Sequence, residues 1–129
     1  MIIDIHGHTV APAEVYKFQS QLLGSRGNPF DKAPKISDEA INKELENHIG
    51  KLKKVGTDLQ LISPRPYLAM HSIKPTTVVH YWTEFINNII AQQVRLQPDY
   101  FRGVAGLPQS PGVDIKDCIP ELKRCINEL

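Results

Sequence analysis

The sequence predicts an α/β fold, a parallel sheet built from three βα units. Three observations carry that reading. Short apolar stretches alternate with long segments of helical periodicity in the order β-α-α-β-α-β-α, and that rhythm argues for parallel strands joined by right-handed crossovers. Each stretch ends on turn residues. No internal repeat or low-complexity run interrupts the pattern. A chain of 129 residues makes one domain, 1–129, with a real core. It also covers less than half of the roughly 250 residues of a complete (β/α)8 barrel.

The first strand spans Ile2–His6 and leads into His8. Strict alternation puts Ile2, Asp4, His6 and His8 on one face and Ile3, Ile5 and Gly7 on the other. A short helix follows over Pro12–Leu23, with Val15, Phe18, Leu22 and Leu23 as its apolar stripe, and Gly24–Pro34 reads as a loop. Ser37 is an N-cap followed by acidic first-turn residues; Ile41, Leu45, Ile49 and Leu52 form the stripe of the next helix, and Gly56 stops it. The second strand is Asp58–Ser63, closed by Pro64-Arg65-Pro66, with a loop over 67–77. A long helix then runs over Thr77–Gln97 with Phe85, Ile89, Ile90, Val94 and Leu96 inward. Phe101–Leu107 is the third strand. The last helix starts near Asp114 and is expected to bury Ile115, Cys118, Ile119, Leu122, Cys125, Ile126 and Leu129, with Pro120 early enough to be tolerated.

Composition narrows the function classes. A formal net charge of +1 points to neither nucleic acid nor an anionic membrane as partner. The basic cluster Lys51, Lys53 and Lys54 complements a helix C-terminus. No stretch approaches the ~18 apolar residues of a membrane span, and Asp4, His6 and His8 stand where a signal peptide would be apolar. Cys118 and Cys125, about two helical turns apart, are too distant for a disulfide and read as buried free thiols in a reducing cytoplasm.

Chemistry concentrates at the strand ends. His6 and His8 share a strand face with Cα atoms ~6.6 Å apart, close enough for two imidazoles to meet one ion. Asp4, one step deeper on that face, is placed to fix the tautomer of a ligand histidine. Two unrelated histidines at a strand end are the alternative. Arg65 stands where the second strand meets its loop, suited to a bidentate grip on a carboxylate, or to pairing with a loop acid. His71 is a weaker candidate for binding or proton transfer. His80, beside Trp82, is weaker still, and His48 reads as structural. Gln109 and Ser110 offer hydrogen bonds to substrate oxygens, or cap the last helix.

Asp4-Ile5-His6-Gly7-His8 resembles the metal-binding D-x-H-x-H opening of the amidohydrolase superfamily. The branch holding the aminocarboxymuconate semialdehyde decarboxylase and γ-resorcylate decarboxylase families looks similar. Ser63-Pro64-Arg65, Asn87-Asn88, the Gly103–Pro111 segment and the Glu121–Leu129 ending resemble the 4-oxalomesaconate hydratase family of that branch best. The resemblance implies a TIM-like barrel with one divalent metal, usually Zn²⁺, at its C-terminal mouth, and it makes His6 and His8 the first two metal ligands. It implies that further ligands come from later strands, so this chain resembles the first three βα units of an incomplete barrel, ending before the fourth strand. The expected parent is a metal-dependent lyase on carboxylate-bearing aromatic ring-cleavage products. A decarboxylase or hydrolase of the same superfamily is the alternative. A different class is also open: a non-catalytic α/β module that self-associates, as a homo-oligomer or through its exposed sheet edge, or binds a partner.

Overall fold

The computed structural model describes residues 1–28, 32–65 and 70–129. Three strands form one parallel sheet in the order β1-β2-β3: β1 is Ile3–His8, β2 is Leu59–Ser63 and β3 is Phe101–Gly103. The helices are α1 (Ala13–Ser25), α2 (Asp38–Val55), α3 (Thr76–Leu96) and α4 (Ile119–Glu128), and a 3₁₀ turn over Ile115–Cys118 leads into α4. The expected order of elements is the observed one. Parts of the expected loops, 29–31 and 66–69, lie outside the described residues.

The helix limits follow from local chemistry. The Ser37 hydroxyl accepts the Ala40 N–H at 3.2 Å, satisfying one orphan donor of α2. Gly56 closes the helix at φ 77°, a conformation a Cβ would disfavour. Ile41, Leu45, Ile49 and Leu52 are all buried, as the four-residue spacing requires. They join Val15, Phe18, Leu22, Trp82, Phe85, Ile86, Ile89 and Phe101 in one core between helices and sheet. Leu23, assigned to the α1 stripe, is 41% exposed instead.

β1 departs from strict alternation. Asp4 pairs with Gln60 but Gly7 pairs with Ile62, so two residues of β1 oppose one of β2 in a bulge. The extra residue shifts the parity. Asp4 and Gly7 both face the helix layer, where Gln60 and Ile62 are buried, and His6 and His8 face the other way. Asp4 therefore does not share a face with the two histidines, as unbroken alternation had it.

The third strand and last helix also differ from expectation. β3 ends at Gly103 because Asn87 of α3 takes over the following chain: its side-chain amide donates to the Gly106 carbonyl at 3.0 Å and accepts the Gly106 N–H at 2.8 Å. A side chain thus satisfies backbone groups that a ladder would otherwise claim. In α4 the apolar face is uncovered: Ile119, Leu122, Ile126 and Leu129 are 40–73% exposed, and only Cys118 of the expected face is buried. The helix is held to α3 by polar groups instead. Glu121 accepts from Arg124 and Asn87, and Arg124 donates to Asn88. Burial pushes the Glu121 carboxyl up, but the bonds from Arg124, Asn87 and Cys125 outweigh it and hold it below its ordinary value.

Candidate metal and carboxylate site

The site lies at the C-terminal ends of the parallel strands, where ligands of α/β sheets bind. The rings of His6 and His8 approach edge to face, with centroids 4.9 Å apart and planes at 81°. Two imidazoles sharing one tetrahedral ion, each nitrogen ~2.0–2.1 Å from it, have ring centres about 5 Å apart. The observed ring spacing is compatible with a shared divalent cation and is equally that of an edge-to-face ring pair. The donor set is incomplete by itself. Among the described residues no three His, Cys, Asp or Glu side chains cluster as a metal site.

Asp4 supports this strand end through the backbone. Its carboxylate accepts the His6 backbone N–H at 3.0 Å and the Gln60 side-chain amide at 2.6 Å. The Gln60 bond first, and the His6 amide second, favour the charged form and hold its pKa below the ordinary carboxylate value. Gln60 in turn meets His48 Nε2 at 2.6 Å, and the His48 ring stacks on Phe101 with centroids 5.8 Å apart. His48 is structural, as its place on α2 suggested. The chain Asp4–Gln60–His48 ties β1 and β2 to the helix layer, and it escaped sequence reading because the bulge that creates it leaves no trace in the residue pattern.

The β1–α1 connection is fixed by buried polar groups that sequence reading also passed over. Thr9, 2% exposed, donates from its hydroxyl to Gln93 Oε1 at 2.9 Å, and the Gln93 amide donates to the Val10 carbonyl. The Thr9 N–H bonds to the Ser63 carbonyl at 2.9 Å. A visible signal did exist: Gln93 is a polar residue on the apolar stripe of α3. Arg65 Nε donates to the Thr9 carbonyl at 3.3 Å, which brings the guanidinium to the loop that follows His8. Arg65 is thus tied to the backbone of the residue that follows His8.

The remaining candidates line two other clefts. His71 is exposed and lines a cleft of about 340 Å³ together with Gln109, Ser110 and Asp114. His71 also borders a smaller cavity of about 180 Å³ beside Pro64, Trp82 and Gly106. Trp82 is core, fully buried, and His80 is half-buried on the same helix. Cys118 and Cys125 are free thiols.

A family model described as amidohydrolase matches residues 3–129. The chain belongs to the amidohydrolase family. It is 39% identical, over its whole length, to a 2-keto-4-carboxy-3-hexenedioate hydratase of Sphingobium sp. (strain NBRC 103272 / SYK-6). The crystal structure of a 4-oxalomesaconate hydratase from Rhodopseudomonas palustris superposes on 99% of the chain with a TM-score of 0.86 and 39% identity. The three-stranded sheet matches the N-terminal part of that enzyme's TIM-like barrel and is open where the barrel closes. The chain spans 39–40% of the length of these two relatives. Among its described residues no helix is long and apolar enough to cross a membrane.

Proposed function

We propose that this amidohydrolase-family chain supplies the first metal ligands and a carboxylate-binding arginine of a metal-dependent hydratase. Its substrate would be a small carboxylate-bearing aromatic ring-cleavage product such as 4-oxalomesaconate. The observation that carries the reading is the His6–His8 pair, 4.9 Å apart at the C-terminal mouth of a parallel sheet. Two hydratases as relatives support it. Zn²⁺ suits imidazole donors at this spacing, and when bound it supplies a Lewis acid that polarises a substrate oxygen or acidifies a water. Arg65, tethered to Thr9, orients a substrate carboxylate beside that centre. His71, Gln109 and Ser110 form a side wall that offers hydrogen bonds to other substrate oxygens. Free thiols at Cys118 and Cys125 fit a reducing cytoplasm.

The test is metal content and turnover of the purified chain. Added Zn²⁺ is expected to bind reversibly, as a two-histidine donor set allows, and His6→Ala and His8→Ala each to abolish that binding. Equal metal binding by the wild type and a His6→Ala/His8→Ala variant would overturn the ligand assignment. A second reading, a non-catalytic α/β module, is favoured by the absence of a third clustered ligand among the described residues. Hydration of 4-oxalomesaconate by the metal-loaded chain, followed as loss of its conjugated absorbance, would exclude that module. Tight metal without turnover would support it.

A further inference from the structure

We propose that Ser63 fixes the ring tautomer of His8, so that Nε2 is the nitrogen offered to a cation. The consequence for metal binding rests on the reading of His6 and His8 as ligands; the tautomer itself does not.

Ser63 ends β2 as His8 ends β1, and the two are register partners across the parallel pair. The Ser63 hydroxyl donates to the Gly7 carbonyl at 3.2 Å, and its oxygen also lies 3.3 Å from His8 Nδ1. A carbonyl oxygen only accepts, so the Gly7 contact is a hydrogen bond only when the single hydroxyl proton points to it, and that is the arrangement proposed here. What Ser63 turns toward the ring is then a lone pair. A neutral imidazole answers a lone pair with its N–H, which places the proton on Nδ1 and leaves Nε2 bare. The reverse arrangement, with Nδ1 accepting, would take the hydroxyl proton away from Gly7. A solvated histidine ordinarily prefers the proton on Nε2, the form that cannot ligate through that atom without first losing it. Ser63 therefore acts as a positioning residue: it selects the less common tautomer and orients the ring before any ion arrives. His6 has no comparable side-chain partner among the described contacts, so the preorganisation is built into one ligand of the two.

The experiment is long-range ¹H–¹⁵N correlation of the ¹⁵N-histidine-labelled, metal-free chain at about pH 8, above the ordinary imidazole range. His8 is expected to show a protonated Nδ1 and an unprotonated Nε2. Ser63→Ala should convert it to the Nε2–H or an averaged pattern, and Ser63→Thr, which keeps the hydroxyl, should restore the wild-type one. In competition with a chromophoric chelator, Ser63→Ala should weaken Zn²⁺ binding about 10–100-fold, as loss of a partner that orients a metal-ligating histidine does. A wild-type His8 carrying its proton on Nε2 would overturn the proposal, and so would an unchanged tautomer in a folded Ser63→Ala variant. The wild-type spectrum decides even if that variant does not fold. Zn²⁺ that shifts neither His6 nor His8 would defeat the metal reading separately, leaving the tautomer result intact.

Discussion

Gly7→Ala is expected to destabilise the chain by about 2–3 kcal/mol, for a reason confined to one neighbour. Gly7 is not among the glycines with positive φ, so its backbone would accept alanine. Space is the obstacle. A Cβ at this position would fall 2.3 Å from Cδ and 2.6 Å from Cγ of Gln60. Gln60 is not free to swing aside, because Asp4 and His48 hold its two terminal atoms at 2.6 Å each. Reaching an ordinary contact requires a shift of roughly 1 Å, enough to break both bonds. A bond to a charged carboxylate contributes about 1.5–3 kcal/mol and a neutral one about 0.5–1.5 kcal/mol. Partial solvent access puts both at the low end, hence the total. Urea unfolding followed by circular dichroism should show the midpoint falling by about 1–2 M, given slopes of about 1–3 kcal/mol/M for small proteins. The decisive arm is a double-mutant cycle. Gln60→Ala removes the obstacle, so Gly7→Ala on that background should cost less than about 1 kcal/mol. Additive effects, or a single substitution costing under about 0.5 kcal/mol, would refute the steric argument.

Three other expectations come from the α3–α4 contact. Asn87→Ala removes both bonds to Gly106 and the one to Glu121, costing about 3 kcal/mol in sum at about 1 kcal/mol per bond; hydrogen exchange should rise over 104–128 and stay unchanged in β1, and uniform acceleration would contradict the local account. The depressed Glu121 pKa stabilises the fold above the ordinary carboxylate value of 4.5, and that contribution is lost as pH falls through the lower folded value. Below pH 4.5, therefore, wild-type stability should fall more steeply than that of Glu121→Gln, and parallel curves would reject the linkage. Burial, and then the Glu121 bond, push the Cys125 thiol up to about 11. Against an ordinary thiol near 8.5, iodoacetamide at about pH 8 should label Cys125 at least tenfold faster in urea than in the native chain, and equal rates would rule out the shift.

Legibility in the sequence tracked how local the cause was. Ser37 and Gly56 announce the ends of α2 because capping is settled within one turn. The order of strands and helices was readable for the same reason. The length of β3 was not: the apolar character of Phe101–Leu107 continues past Gly103, yet Asn87, sixteen residues upstream of Gly103, claims Gly106 from another element. Amphipathicity showed that α4 has an apolar face, but periodicity cannot say what covers it. Here Glu121 and Arg124 secure the helix while Ile126 is 73% exposed. At the site, His6, His8 and Arg65 were visible as residue types suited to their chemistry. Ser63, Thr9 and Gln60 were not, since each acts at the site through a partner on another element, more than fifty residues away for Asp4, Gln93 and His8.

The bulge in β1 connects these two kinds of residue. A regular strand would put Asp4, His6 and His8 on one side, and the helix layer would then lose the carboxylate that anchors Gln60. One extra residue between Asp4 and Gly7 changes the parity midway. The lower half of the strand serves the core: Asp4 holds Gln60, Gln60 holds His48, and the missing Cβ of Gly7 leaves room for that side chain. The upper half turns both imidazoles to the open mouth, with Ser63 against one of them. Position Gly7 is thus constrained from below by packing, while its carbonyl, by taking the Ser63 proton, sets the ring above it. The same residue spacing that reads as a metal motif is also a packing requirement, and a substitution at Gly7 should therefore disturb stability and His8 tautomer together.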